Sequence, residues 1–198
     1  MRKLLLTMVI GLSLNGFCMA QTWELNLDAG PTSVSAGVHY KQPMANGFMK
    51  AGFSGVYTDD DDMEYKWAEF SFMVGSDTIQ PGLTCEVGFK GILGDAEESG
   101  RSGDIGAVAF TGGVGYLLPR RLMPIPLELF TGLTYSPEPL SFMDTEDYVS
   151  LDVGLGIRVI QNAHVLLEYS AYEVDMESGP GDWSLDDGVI RLGIIMRF

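Results

Sequence analysis

The feature that most constrains this sequence is an alternation of apolar and polar residues with a period of two, recurring from residue 23 to the C-terminus. A period of two is that of a β-strand, whose successive side chains point to opposite faces. Clusters of glycine, proline, asparagine and aspartate interrupt the alternation, as turns between strands do. We therefore predict an all-β chain of about ten strands, with eight as the alternative. The alternating segments are 23–29, 34–40, 50–57, 68–74, 83–90, 108–116, 127–135, 149–159, 165–171 and 190–198.

The start of the chain differs from the rest and has the three parts of a secretory signal peptide. A basic start precedes an apolar run, and the small residues Cys18 and Ala20 occupy the two positions that signal peptidase reads. We predict that residues 1–20 are a cleaved signal peptide and that residues 21–198 form the mature domain. Lipid attachment at Cys18 is the alternative, but Phe17 stands where that processing prefers glycine or alanine.

Two β architectures fit the alternation, a soluble sandwich and a membrane-spanning barrel. The positions of the aromatic residues favour the barrel, since tyrosine and tryptophan form girdles at the two bilayer interfaces. Such residues fall near the ends of the predicted strands, with Trp23, Tyr40, Tyr116 and Phe198 at one rim and Tyr57 and Tyr135 at the other.

The connections between the predicted strands are of two alternating kinds. Four long segments (58–64, 94–104, 136–147 and 173–187) hold nineteen of the 27 acidic residues, whereas four compact turns (41–47, 75–82, 118–124 and 160–163) hold only Asp77. With an even number of strands and both chain ends in the periplasm, every long acidic segment falls outside the cell. Long outer loops and short periplasmic turns are typical of outer-membrane barrels.

The polar face of the predicted strands carries twelve charged residues, and these decide whether that face points to lipid or to the lumen. A basic side chain facing lipid at the bilayer midplane costs about 2–4 kcal/mol, so this face must line the lumen. We predict a transmembrane antiparallel up-and-down β-barrel with compensating ion pairs inside it. The predicted lumen-lining charges are Glu24, Asp28, Lys50, Glu69, Glu86, Lys90, Glu128, Asp152, Arg158, Glu168, Arg191 and Arg197.

The glycine-rich alternating hairpins and the final Leu-Gly-Ile-Ile-Met-Arg-Phe resemble the YfaZ-like outer-membrane proteins of Gram-negative bacteria. The C-terminal Phe198, on an alternating apolar strand, resembles the signal read by the barrel-assembly machinery. The resemblance implies a location in the outer membrane, contact with its lipid and lipopolysaccharide, and passage through the periplasm. It brings no catalytic motif and no cofactor.

Composition and histidine placement bear on the remaining functional classes. A formal charge of −15 argues against nucleic-acid binding, which needs clustered lysine and arginine. We expect His39 in the lumen and His164 on the lipid face, and neither has an evident serine and acid to complete a triad. The acidic run Asp59–Asp62 lacks the glycine and glutamate spacing of an EF-hand loop. We therefore expect no catalytic residue and no metal site.

Three functions remain, and we place them in order. The first is a structural or interaction barrel whose acidic segments project outward, with an unidentified surface ligand. The alternative is a narrow pore that favours cations, because acids outnumber bases in the predicted lumen. An outer-membrane hydrolase built on the acidic segments is the third.

Overall fold

The computed structural model describes residues 22–119, 121–178 and 181–198, and the predicted signal peptide lies outside them. Within them no helix is long and apolar enough to cross a membrane. The long strands are β1 (Thr22–Ala29), β2 (Ser33–Met44), β3 (Gly47–Asp60), β4 (Met63–Gln80), β5 (Leu83–Glu98), β6 (Arg101–Leu117), β7 (Leu127–Ser136), β9 (Thr145–Ile160), β10 (Ala163–Ser178) and β11 (Gly181–Arg197). A short 3-10 helix (Glu138–Leu140) and the strand β8 (Ser141–Met143) lie between β7 and β9.

The ten long strands form a closed ring in which all neighbours are antiparallel. The ring closes where β11 pairs with β1, and there the Trp23 N–H donates to the Phe198 carbonyl at 3.0 Å. The Phe198 N–H returns a bond to the Trp23 carbonyl at 2.8 Å. Closure leaves the ring without an unpaired edge. The prediction of an all-β, up-and-down antiparallel barrel of ten strands is confirmed, and the eight-strand alternative is wrong.

The connections lie at two ends, and we call the end that carries Thr22 and Phe198 the inner end. The inner connections are compact, as predicted, and the longest spans residues 118–126. The outer acidic segments differ from the predicted loops, because most of their residues continue the strands. Asp59 and Asp60 end β3, for example, within a hairpin that is paired to its tip. A paired hairpin satisfies its own backbone hydrogen bonds and leaves acidic side chains free to face water.

The outward face of the ring is a belt of large apolar side chains. Leu27, Phe53 and Leu192 expose more than half of their surface there. At the inner rim Trp23 and Tyr40 bring their ring centroids to 5.1 Å, in the position expected for an aromatic girdle. The apolar residues of the alternating pattern therefore face outward.

The hydrophobic core lies inside the ring, toward the outer end. Its members come from the outer portions of seven strands and point into the lumen. They are Val56, Tyr65, Trp67, Ile92, Ala96, Ile105, Ala107, Ala109, Tyr148, Tyr172, Val174, Met176, Trp183, Leu185 and Val189. We call this set the outer plug.

Candidate functional site

Below the outer plug, the lumen holds a polar cavity of about 550 Å³ that reaches the inner end of the barrel. All twelve charges that the sequence assigned to the lumen line this cavity. Lys41 and Asp77, which the sequence placed in inner turns, line it as well. The charged residues of the alternation therefore face an internal space, whereas the apolar residues form the outward belt.

Most of the cavity charges form ion pairs with one another. Four pairs join an acid to a lysine or arginine, with N–O distances of 2.7 Å for Arg197–Glu24, 3.1 Å for Lys90–Glu69, 3.3 Å for Arg191–Glu168 and 3.5 Å for Lys50–Glu86. Pairing offsets the cost of withdrawing each charge from bulk water, although it seldom exceeds that cost. The pairs therefore explain how the lumen holds these charges, and they are not a large source of stability.

Arg191 is the most thoroughly coordinated of these charges, and only 3% of its surface is exposed. Its Nη2 donates to the Ser170 hydroxyl at 2.6 Å and to the Tyr172 hydroxyl at 2.8 Å. Its Nη1 donates to the Ser33 hydroxyl at 3.2 Å. Because β2, β10 and β11 all contribute to this network, Arg191 fixes the base of the outer plug to three strands of the wall.

Asp28 and Asp152 lie in the cavity wall without an ion-pair partner among the described residues. Asp28 accepts a hydrogen bond from the Ser35 hydroxyl at 2.8 Å through Oδ2, while its buried Oδ1 has no protein donor. Asp152 accepts one from the Ser170 hydroxyl at 2.7 Å. Asp28 and Asp152 are therefore two of the lumen acids that no described lysine or arginine neutralises, and Glu128, whose carboxylate lies 3.8 Å from His164 Nδ1, is a third.

The two histidines both lie in the lumen. His39 lines the cavity, in the position expected from its parity. The prediction that His164 faces lipid is wrong, because it shares the inward parity of Leu166 and Glu168 on β10 and is 3% exposed. The Nε2 of His164 accepts a hydrogen bond from Arg158 Nε at 3.3 Å and lies 3.3 Å from Arg197 Nη1.

This geometry argues against catalysis by His164. A general base in a serine triad needs its Nε2 free to take a proton from the nucleophile, whereas His164 directs that atom at arginines. Among the described residues, no three His, Cys, Asp or Glu side chains come together in a group that could hold a metal ion.

The outer plug is built around Trp67, which is only 3% exposed. Its ring stacks on Tyr65 with centroids 4.5 Å apart, and it meets the edges of Tyr172 at 5.0 Å and Tyr148 at 6.2 Å. Its indole N–H donates to Glu69 Oε1 at 3.2 Å, which joins the plug to the charged cavity below. The outer half of the lumen is therefore packed like a protein interior.

The plug extends to the wall above the short β1–β2 hairpin. There the Tyr65 hydroxyl donates to Asp187 Oδ2 at 2.6 Å, joining β4 to β11 across the three strands β1, β2 and β3 that stand between them. Beneath this bond, the Thr58 hydroxyl donates to Ser33 Oγ at 2.9 Å. The first bond joins two tall strands above the hairpin, and the second joins β3 to the outer end of β2.

The sequence analysis missed the plug, although a signal for it was present. Tyr65 and Trp67 have the same parity as Glu69, and Tyr172 has that of Glu168. Extending the alternation beyond the predicted strand ends would have assigned these aromatic residues to the interior. The acidic clusters at the predicted strand ends have the composition of loops, and they hide the continuation of the strands.

No protein-family model matches the chain, and no curated protein sequence matches it. Among solved structures, the NanC porin is similar at 11% identity and a TM-score of 0.43, covering 89% of this chain and 99% of that chain. The KdgM porin in complex with disordered oligogalacturonate is similar at 12% and 0.41, covering 89% and 99%. The N-terminal β-barrel domain of Pseudomonas aeruginosa OprF is similar at 9% and 0.35, covering 90% and 96%. Identities and TM-scores this low carry no conclusion about function.

Proposed function

We propose that this protein is an integral outer-membrane β-barrel that acts as a structural or interaction barrel, with its outer end closed to solutes. The observation that carries the proposal is the outer plug, in which Tyr65, Ile92, Ile105 and Tyr148 have no exposed surface. A pore needs a continuous water-filled path, and packed apolar side chains occupy the outer half of this lumen. The acidic strand extensions are then the part that meets external partners.

The membrane location rests on the contrast between the two faces of the wall. Soluble monomers rarely expose contiguous apolar patches larger than a few hundred Å², yet the belt of this barrel surrounds the ring. Phe70, Val87, Leu133 and Ile190 each expose more than half of their side chain in it. A bilayer removes this surface from water, while the charges stay in the lumen.

Two measurements on the refolded protein test the proposal. A barrel inserted in detergent should migrate differently on a gel before and after boiling, and recovery of the cellular protein entirely in the soluble periplasmic fraction would disprove the membrane location. In planar bilayers, the heat-modifiable protein should give no conductance steps. Regular steps from that same preparation would disprove closure without affecting the membrane location.

The second candidate function is a narrow cation-favouring pore, which the cavity acids without a described basic partner, Asp28 and Asp152 among them, favour. If the wild-type protein conducts, Asp28→Asn and Asp152→Asn together should reduce the preference for cations over anions. Ser102→Asn, on β6 in the outer extension, is the polar control outside the cavity lining. An unchanged preference in the double variant would remove the support that these acids give to a pore.

Assembly is the third part of the proposal, together with the finer resemblance to the YfaZ-like family. We expect the barrel-assembly machinery to bind Phe198, whose side chain is exposed at the inner rim. Phe198→Ala should lower the amount of barrel in the outer membrane while leaving refolding in detergent unchanged. The control is Phe53→Ala, which removes an exposed ring from the middle of β3. Equal losses from both variants would contradict a specific role for Phe198.

A further inference from the structure

A groove of about 760 Å³ interrupts the apolar belt on the outward face. It lies over β1 and β2 and extends onto β3, β10 and β11. Leu27 and Val34 line its centre, and Tyr57 and Leu192 line its two sides. The one carboxylate in its wall, Asp28, is turned inward and is 7% exposed, so an occupant meets alkyl and aromatic groups.

The groove exists because the β1–β2 hairpin is short and its neighbours are not. β1 has eight residues. At about 3.4 Å per residue and a tilt of about 40°, it rises only about 21 Å, which is less than the height of about 25 Å that the apolar band of a membrane barrel has. The same arithmetic gives β4, with eighteen residues, about 47 Å. The outer end of β1 therefore lies within the apolar layer, between taller walls.

The connection that ends this hairpin is suited to contact with hydrocarbon. The Gly30 N–H donates to the Ser33 carbonyl at 2.7 Å, and the Asp59 N–H donates to the Thr32 carbonyl at 2.9 Å. Backbone groups that face lipid must be paired within the protein, and these bonds pair groups at the lip of the groove.

Small residues make the depression next to the hairpin. Ala36 faces Gly55 across β2 and β3, and Gly55 faces Ala68 on β4. In the adjacent row toward the inner end, Val38, Phe53 and Phe70 stand in the same three strands. The groove is thus continuous with the belt that, on the proposed function, lies in the bilayer.

We propose that this groove binds one acyl chain of a membrane lipid, held along the β1–β2 hairpin beneath its outer connection. This inference rests on the membrane location proposed above. An acyl chain makes close contacts with the apolar floor of the groove. The exposed polar groups, Asp59 and the Tyr57 hydroxyl that donates to it, lie at the lip, so a charged ligand finds no partner among the described residues of the floor. Lipid at the groove then exchanges more slowly than lipid elsewhere on the belt.

The experiment uses the full mature barrel in phosphatidylcholine vesicles containing a small fraction of phospholipid with a diazirine in its acyl chain. After illumination, labelled peptides are mapped by mass spectrometry. We expect residues 27–36 and 55–57 to carry about threefold more label than the belt residues 87–93 on β5.

Two matched variants decide between binding and general lipid contact. Gly55→Leu fills the groove, and its added Cβ lies 3.7 Å from the nearest atom, which is ordinary contact. Gly91→Leu adds the same side chain to the belt on β5, where nothing lies within 4 Å of the added Cβ. Gly55→Leu should reduce labelling at the groove to the level of the belt, while Gly91→Leu leaves it unchanged.

The outcomes separate this inference from the proposed function. Uniform labelling around the belt, or no effect of Gly55→Leu, overturns the lipid site and leaves the membrane barrel intact. Absence of label from the whole belt overturns the membrane location. A change in gel mobility on boiling shows that each variant has folded.

Discussion

Replacing Trp67 with alanine should destabilise the barrel by about 4 kcal/mol, because removal of a buried aromatic side chain costs about 3–5 kcal/mol. Trp67 packs on three aromatic rings and holds Glu69 through its indole N–H at 3.2 Å. The matched control is Phe70→Ala on the same strand, whose ring is 59% exposed on the outward face. That ring leaves no internal cavity, so its removal should cost only the lost transfer energy, about 1–2 kcal/mol.

The difference of about 2–3 kcal/mol between the two variants measures the packing of the outer plug, as the sum of the cavity, the deeper burial of Trp67 and its hydrogen bond to Glu69. It can be measured from the urea midpoints of both variants in detergent micelles, with the heat-sensitive gel shift as the readout of folding. In planar bilayers, Trp67→Ala should give brief conductance bursts where the wild-type protein gives none. Equal destabilisation by the two substitutions, or wild-type conductance that Trp67→Ala leaves unaltered, would refute a packed plug.

Three further predictions follow from single side chains. Gly193→Ala places a methyl group against the Asp28 carboxylate, and should lower the urea midpoint by the equivalent of about 1–3 kcal/mol. Arg191→Met leaves the acid and hydroxyl groups around it unpaired, and should cost about 3–5 kcal/mol in the same assay. Partial desolvation and the nearby carboxylates, Asp182 foremost, raise the pKa of Glu146 above 4.5. The folded state therefore binds the Glu146 proton more tightly than the unfolded chain does. Amide protection factors around residue 146, which are corrected for the intrinsic slowing of exchange in acid, should rise as pH falls through the Glu146 pKa, and less so in Glu146→Gln.

The register and the direction of the wall could be predicted from the sequence because a bilayer penalises errors in them. A one-residue slip would turn Lys50, Lys90 and Arg158 toward lipid. Alternation therefore identified the lumen face over all ten strands. It also indicates the inward position of His164, which stands two residues before Leu166 and four before Glu168.

The height of the barrel and its closed end could not be predicted in the same way. Beyond the bilayer both faces of a strand can carry polar residues, so acidic runs such as Asp59–Asp62 read equally well as loop or as hairpin. Ion-pair choice was also beyond the sequence, because partners such as Glu24 and Arg197 are 173 positions apart and meet only when the ring closes. The odd or even position of a residue in its strand decides which face of the wall it lies on. Which two charges form an ion pair depends on the stagger between strands that are distant in sequence.

Strand height connects the plug to function. In the proposed membrane location, lipid covers the outward face of the wall and favours the folded barrel without help from the lumen. Above the bilayer, acidic residues such as Glu64 and Asp95 meet water, so the projecting hairpins must bury apolar side chains elsewhere. The only available place is between them, and Tyr65 and Trp183 occupy it. An open pore would remove the core that holds the projection together, so in the proposed membrane barrel an ordered acidic projection and a wide conducting lumen exclude each other.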